Sequence, residues 1–221
     1  MSESYFKATR PDGTDFRTGT VDYAAHLASG EPLVHPYPHR EDASGYWSVA
    51  TVATDCIGMS WPCRLFRVEP VDPWEVGDYP NKRACHTLRV VEELPAHEAL
   101  GPQGEHVAAL VARCSTLTSD EVRRLVAAWD AARVAAWDAA RVAARDAAWD
   151  AAQVAARDVA RVAAQAAAQV AARAAARAAA RDAAWALITR DLIATEHYDT
   201  LTRPWRSVVG RIHPDDPEVT E

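Results

Sequence analysis

Two groups of polar residues in the first hundred positions have types and spacing that suit acid–base chemistry. His35 and His39 flank a Pro-Tyr-Pro segment, and histidine in a loop gains or loses a proton near neutral pH. Asp72, Glu75 and Asp78 follow the segment with the strongest strand pattern, where carboxylates can position a substrate. Residues of these types are also typical of solvated surface loops. The pattern therefore leaves a catalytic loop and an ordinary polar surface both open.

The sequence lacks the motifs that identify common enzyme classes and metal sites. It contains no glycine-rich phosphate loop, nucleophile elbow, zinc-protease motif or kinase signature. Its cysteines form no CxxC pair, which structural zinc sites usually contain. We therefore expect no metal site and interpret the cysteines as free thiols in a reducing cytoplasm. They are Cys56, Cys63, Cys85 and Cys114.

Charge and hydropathy exclude further classes. The chain has 221 residues and a net charge of −7, which argues against general nucleic-acid binding. Residues 121–190 have a local net charge of only +4, too little for a phosphate-binding rod. No run of 18 apolar residues lacks charges, so we expect no membrane span. The first residues also lack the apolar core of a secretory signal, which favours a cytoplasmic protein.

Glycine and proline divide the chain into regions of different character. Most glycines and prolines precede residue 102, and residues 105–203 contain neither. Short alternating segments predict five strands and two or three small helices, which make a small mixed α+β head domain. The predicted regions are the head domain, 1–100; a linker with a short helix, 101–118; an alanine-rich helix, 119–194; and a short helix with a polar tail, 195–221.

Turn and capping residues predict the ends of several elements. A Pro-Asp-Gly turn predicts a hairpin with strands Tyr5–Thr9 and Thr14–Thr18. Thr20 can cap a following helix, which should end at Gly30. The last helix should end before Pro204, because proline interrupts a helix interior.

The alanine-rich region predicts a single long helix. From Trp129 the sequence repeats in units of four residues, and 33 of the 60 residues in 127–186 are alanine, the best helix former. Thr118 and Glu121 have capping-box spacing at its start. Because no glycine or proline follows, the pattern predicts a rod or coiled-coil-like helix about 110 Å long. A bundle of broken helices or of several chains is the alternative, which the lack of turn residues disfavours.

Large and charged side chains of the repeat are predicted contact points. A four-residue unit advances about 40° around the helix axis, so the repeat cannot form a straight heptad seam. Tryptophans are too apolar for a lone rod, and arginines four residues apart repel one another unless they meet an acidic partner or solvent. We therefore predict a homo-oligomer or a protein partner bound through this helix. The candidate interaction residues are Trp129, Trp137, Trp149, Trp185, Arg173, Arg177 and Arg181.

A segment of about 30 residues resembles part of a known family. The stretch RLFRVEPVDPWEVGDYPNKRACHTLRVVEEL resembles the later half of rifampin ADP-ribosyltransferases, with V-E-P at a strand end, an acidic loop, and L-R-V-V in the next strand. The resemblance implies a small α+β fold that transfers ADP-ribose from NAD. It implies catalytic roles for Tyr46 and Asp78. The family's H-G-T motif matches only at Gly13 and Thr14, which would contact NAD, and Asp12 replaces its histidine.

The whole chain is also similar to actinobacterial and actinophage proteins that join an N-terminal domain of unknown function to Ala/Trp/Asp/Arg repeats. That similarity implies nothing about activity. We expect a non-enzymatic structural or interaction protein without a cofactor, whose head domain is presented or oligomerised by the long helix. The alternative is an ADP-ribosyltransferase-like domain, active or degenerate, that binds NAD.

Overall fold

The chain is an α+β protein that divides into two compact units. We call Met1–Ala99 the sheet unit and Leu100–Glu221 the helical unit. The computed structural model describes residues 4–40, 44–56, 60–77, 79–132, 140–146, 162 and 174–217.

The sheet unit is built on a seven-stranded antiparallel sheet. Its strands are β1, Tyr5–Thr9; β2, Leu33–Val34; β3, Trp47–Ala50; β4, Arg64–Val71; β5, Trp74–Val76; β6, Tyr79–Cys85; and β7, Thr87–Leu94. The strand order is β2-β7-β4-β1-β3-β6-β5, so the first strand in sequence lies at the centre of the sheet. In the register of β1 with β4, Lys7 pairs with Phe66. A single-turn 3₁₀ helix, Ala53–Cys56, follows β3, and another, Ala96–Leu100, follows β7.

One short helix covers the core of the sheet unit. This helix, α1, spans Tyr23–Ser29 and packs against β7. The Tyr23 ring stacks on Phe66 with centroids 6.4 Å apart, because both side chains are fully buried between helix and sheet. The core cluster consists of Tyr23, Leu33, Val49, Phe66, Val68, Cys85, Leu88 and Val90.

The sequence predicted the local structure around α1 only in part. The helix ends at Gly30, which has a φ of +70°, so this prediction is confirmed. The cap at Thr20 is wrong, because the Asp22 carboxylate accepts a hydrogen bond from the Ala25 amide at 2.9 Å instead. The predicted strand Thr14–Thr18 is also wrong, since only Thr14 forms a bridge there, with Asp22.

The helical unit packs its helices against one another. These are α2, Gly104–Ser115; α3, Ser119–Ala132; α4, Ala174–Ile188; and α5, Thr195–Val209, and residues 140–146 are also helical. Helix α4 contacts α2, α3 and α5, and α3 also contacts α5. The capping box at the start of α3 is confirmed, because the Thr118 amide donates to Glu121 at 2.8 Å and the Glu121 amide donates to Thr118 at 3.2 Å.

The predicted rod is wrong. In one continuous helix, Arg141 and Asp182 would lie about 60 Å apart. Their side chains approach to 3.7 Å, and α3 packs on α4, so the alanine-rich region folds back on itself. Alanine drives this packing as well as helix formation, because its small side chain lets helices approach closely and most helix stability in proteins comes from tertiary contacts.

The end predicted for the last helix is also wrong. Helix α5 continues through Pro204 to Val209. Proline in a helix interior costs about 3 kcal/mol, and burial of Leu201 and Trp205 within the unit offsets that cost. In the described part of the chain, no helix is long and apolar enough to cross a membrane.

Candidate functional site

A cavity of about 590 Å³ lies on the sheet unit. Side chains from β1, β3, β6 and α1 line it, together with the loops that precede α1 and β3. Its volume falls within the range of roughly 300–1,000 Å³ found for small-molecule sites. The antiparallel pairing of distant segments creates this cavity, so residues far apart in sequence share it.

Positive charge dominates the described lining of the cavity. Among the described lining residues, the basic side chains are Lys7, Arg17, Arg40 and Lys82, and Asp15 supplies a carboxylate. The Lys7 Nζ donates a hydrogen bond to the Ser48 carbonyl at 2.8 Å, and Lys82 donates to the Asp55 carbonyl. Among the residues described, no carboxylate lies within 4.0 Å of either side-chain nitrogen. The Asp55 carbonyl dipole does not neutralise the charge of Lys82, so the cavity favours an anion.

The Asp15 carboxylate accepts several hydrogen bonds from its own loop. It accepts hydrogen bonds from the Thr18 amide at 2.6 Å, the Thr18 hydroxyl at 2.7 Å and the Val21 amide at 3.1 Å. The Thr20 amide donates a further bond at 3.2 Å. Burial opposes ionisation, but these hydrogen bonds outweigh it and lower the pKa of Asp15. Asp15 therefore stabilises the loop before α1. Its carboxylate oxygens have little remaining capacity to pair with a lysine.

Aromatic rings form much of the remaining wall. The His35 and Trp47 rings lie 4.3 Å apart between centroids. The Tyr23 hydroxyl and the Trp47 indole N–H are buried without a hydrogen-bond partner among the described residues. An unsatisfied buried group costs about 1–3 kcal/mol. The aromatic lining residues are Tyr23, His35, Tyr37, Tyr46, Trp47 and Tyr79.

The His35 imidazole is held in its neutral form. Burial lowers its pKa, and the neighbouring His86 and Arg17 lower it further. The Tyr37 amide donates to His35 Nδ1 at 3.1 Å, which assigns the ring proton to Nε2. His35 thus offers an N–H donor beside Trp47 rather than a cation.

The residues implied by the family resemblance are not all at the cavity. Tyr46 lines it, and its ring lies 6.0 Å from that of Trp74. Gly13 and Thr14 belong to the turn after β1 and do not line it. A Cβ atom at Gly13 would lie 2.8 Å from the Ala24 Cβ, so this glycine permits the turn to pack on α1.

Other polar candidates from the sequence lie apart from the cavity or outside the described residues. His39, Asp72 and Glu75 are exposed, and only His35 of the two loop histidines lines the cavity. Asp78 lies outside the described residues.

Four of the predicted interaction residues are described, and they belong to the helical unit. Trp129 and Trp185 are half-buried there, and Arg177 is exposed. Arg181 lies 3.5 Å from the buried Asp182 carboxylate, and both line a small cavity of about 180 Å³. Trp137, Trp149 and Arg173 lie outside the described residues.

Sequence reasoning missed the residues that give the cavity its charge and its aromatic walls. Lys7, Asp15, Tyr23, Trp47 and Lys82 share no motif, and their spacing along the chain carries no signal. Composition did contain a signal, because the chain has only two lysines among its 24 basic residues and both line this cavity.

Comparisons with known proteins assign no role to this site. Comparison with protein-family models, with curated proteins and with solved structures found no match. Within the described ranges, no group of three or more His, Cys, Asp or Glu residues is placed to hold a metal ion. The function therefore has to be argued from the charge and shape of the cavity itself.

Proposed function

We propose that the sheet unit binds a small anionic molecule that carries a planar ring. The observation that supports this most directly is the position of Lys82 at the cavity without a carboxylate partner in the described structure. An anionic group would complete the charge balance, and aromatic walls such as Trp47 and Tyr46 suit stacking on a ring. Nucleotides combine both features, so we place the ligand in this class.

NAD is the nucleotide we favour. Two arguments support this choice: the resemblance of residues 64–94 to ADP-ribosyltransferases, and the place of Tyr46 in the cavity wall. The proposal is that the sheet unit binds NAD.

Isothermal titration calorimetry with a matched ligand series tests this proposal. NAD, ADP-ribose, AMP and adenosine share the adenine ring but differ in negative charge. We expect binding of the three anions and at least about tenfold weaker binding of adenosine, the equivalent of about 1.4 kcal/mol. Raising the salt concentration should weaken the anions selectively.

Paired variants locate the site. Lys82→Met should weaken AMP binding about tenfold or more, because a hydrogen bond to a charged group contributes about 1.5–3 kcal/mol. Arg89→Gln is the control, since Arg89 is exposed on β7 and does not line the cavity. Equal loss in both variants, or adenosine binding as tightly as AMP, would contradict the proposal.

A second candidate function concerns the helical unit, which we propose associates with a second copy of the chain. Large apolar side chains stay exposed there, with Val142 55% and Leu192 52% accessible. The half-buried Trp129 and Trp185 would add to such a contact. Light scattering after size-exclusion chromatography should give a dimer mass that Leu192→Ser reduces toward the monomer. A wild-type monomer at high concentration rejects this candidate.

We also propose a reducing, cytoplasmic location. All four cysteines are free, and three of them, Cys63, Cys85 and Cys114, are buried. Burial raises the pKa of Cys114 to about 12, so this thiol stays protonated and unreactive. Cell fractionation should recover the protein with cytoplasmic markers, and recovery in a secreted fraction would exclude the location.

A further inference from the structure

Lysine is rare in this chain, and both lysines lie at the same cavity. Of 24 basic residues, Lys7 and Lys82 are lysines and the other 22 are arginines. Both lysines line the cavity of the sheet unit, one from β1 and one from β6. Arginine keeps its proton at any physiological pH, whereas a buried lysine readily loses its proton and becomes a nucleophile. Every lysine amine of the chain therefore lies where a small molecule can reach it.

Lys7 has the surroundings of a reactive amine. It lies on the central strand, and its Nζ is 5.7 Å from the centre of the Tyr23 ring. The Ser48 carbonyl accepts one of its three hydrogen bonds, and the described structure places no carboxylate within 4.0 Å of it. The Lys7 side chain therefore lies at the cavity wall without a counter-ion among the described residues.

Burial favours the neutral form of Lys7. Burial lowers the pKa of this amine and the charge of Lys82 lowers it further, while Cys56, Asp15 and Cys85 act in the opposite direction. Burial raises the pKa of both thiols to about 11, so they are uncharged at neutral pH and oppose the neutral amine only weakly there.

Lys82 has a different environment. Its Nζ donates to the backbone carbonyl of Asp55, at the end of the 3₁₀ helix that follows β3. It thus supplies a fixed positive charge beside the first amine, suited to the anionic group of a ligand.

We propose that Lys7 is a carbonyl-reactive amine that forms an imine with an anionic aldehyde or ketone held in the cavity. The inference rests on the proposed function in one respect: the same cavity must admit an anion. The amine lone pair forms the C–N bond, and the carbonyl oxygen takes up a proton to give a carbinolamine. Water then leaves with the carbonyl oxygen and two amine hydrogens, and the C=N bond remains. The step therefore needs no oxidant or reductant.

Trapping with a defined probe tests this inference on the full chain. Pyridoxal 5′-phosphate combines an aldehyde, a planar ring and a phosphate, and borohydride reduces its imine to a stable secondary amine. Peptide mass spectrometry should find one adduct, on Lys7, in preference to Lys82 and the N-terminal amine. Pyridoxal, which lacks the phosphate, should label at least about tenfold more slowly, since it loses the charge-assisted contact.

Two variants test the assignment to Lys7. Lys7→Arg should abolish the adduct, and a cooperative thermal unfolding transition reports that this variant still folds. Arg89→Gln, which lies outside the cavity, should retain the adduct on Lys7. The labelling rate should reach half its maximum at a lower pH than that of free Nα-acetyl-lysine, because only the neutral amine attacks.

The outcomes separate this inference from the proposed function. Labelling spread equally over both lysines and the N-terminus, or undiminished in Lys7→Arg, overturns the role of Lys7. If nucleotides bind but Lys7 is not labelled, the imine is wrong and the anion site stands. If the probe labels Lys7 but NAD and AMP do not bind, the nucleotide class is wrong and the amine chemistry stands.

Discussion

Large side chains fill the core of the sheet unit, whereas the helices of the helical unit pack against one another largely through alanine. Tyr23, Phe66 and Leu88 are fully buried in the first unit. In the second, the buried alanines are Ala140, Ala144, Ala176, Ala179, Ala180, Ala183, Ala184 and Ala186. Burying an alanine costs no rotamer entropy, but it removes little apolar surface from water.

This difference predicts how the helical unit responds to changes in side-chain size. A core of alanines derives much of its stabilisation from the few large residues around it, here Leu125, Leu187, Leu201 and Trp205. It also has little room for any larger side chain, because closely packed helices cannot separate without losing other contacts. The helical unit should therefore be sensitive both to loss of its large residues and to enlargement of its small ones.

Trp205→Ala should have the largest effect. Trp205 is 1% exposed, and removing a buried aromatic side chain costs about 3–5 kcal/mol. Hydrogen exchange read by mass spectrometry measures this loss separately in peptides of each unit. Arg203→Ala is the control, because Arg203 is exposed on the same helix and its replacement should change stability by less than about 0.5 kcal/mol. Equal effects in the two variants would show that Trp205 does not anchor the helical unit.

Ala180→Leu tests the opposite change and should cost about 1–3 kcal/mol through overpacking. Ala180 is fully buried in α4, whereas Ala127 is exposed on α3. Ala127→Leu introduces the same side chain into a helix without crowding a neighbour, so it should be close to neutral. Thermal unfolding compares the two variants directly. A neutral Ala180→Leu variant would mean that the alanine contacts are loose.

Features that depend on neighbouring residues were predictable from the sequence. Strand β1, the helix end at Gly30 and the capping box of Thr118 and Glu121 follow from backbone torsions and hydrogen bonds within a few residues. The cap at Asp22 was missed because two polar residues competed for the role and only one lies at the helix start.

Features that depend on distant residues were not predictable. Helix propensity predicts that alanine-rich segments are helical. Whether they form one continuous helix or several packed helices depends on contacts such as that between α3 and α4. The cavity joins Lys7, Tyr23 and Lys82 through strand pairing, which their spacing does not encode. Composition alone offered a signal, through the scarcity of lysine.

Asp15 of the sheet unit and Asp182 of the helical unit are both buried, and the two should respond to acid with opposite sign. Hydrogen bonds lower the pKa of Asp15 despite its burial, so its carboxylate stabilises the sheet unit above the unfolded-state pKa of about 3.9. That contribution is lost as the pH falls through the folded-state value. Burial raises the pKa of Asp182, so its charge destabilises the helical unit at neutral pH. Lowering the pH through the raised value relieves that cost.

Asn substitutions test this contrast with the smallest expected effects, about 1 kcal/mol each, the scale of a single hydrogen bond. At pH 7, Asp15→Asn should destabilise the sheet unit and Asp182→Asn should stabilise the helical unit. Both differences from the wild type should shrink toward acid pH, because protonation makes the wild-type side chains neutral as well. Each variant serves as the control for the other unit, with unfolding free energies taken from hydrogen exchange at several pH values. Differences of the same sign in both units would show that hydrogen bonding, rather than burial, also governs Asp182.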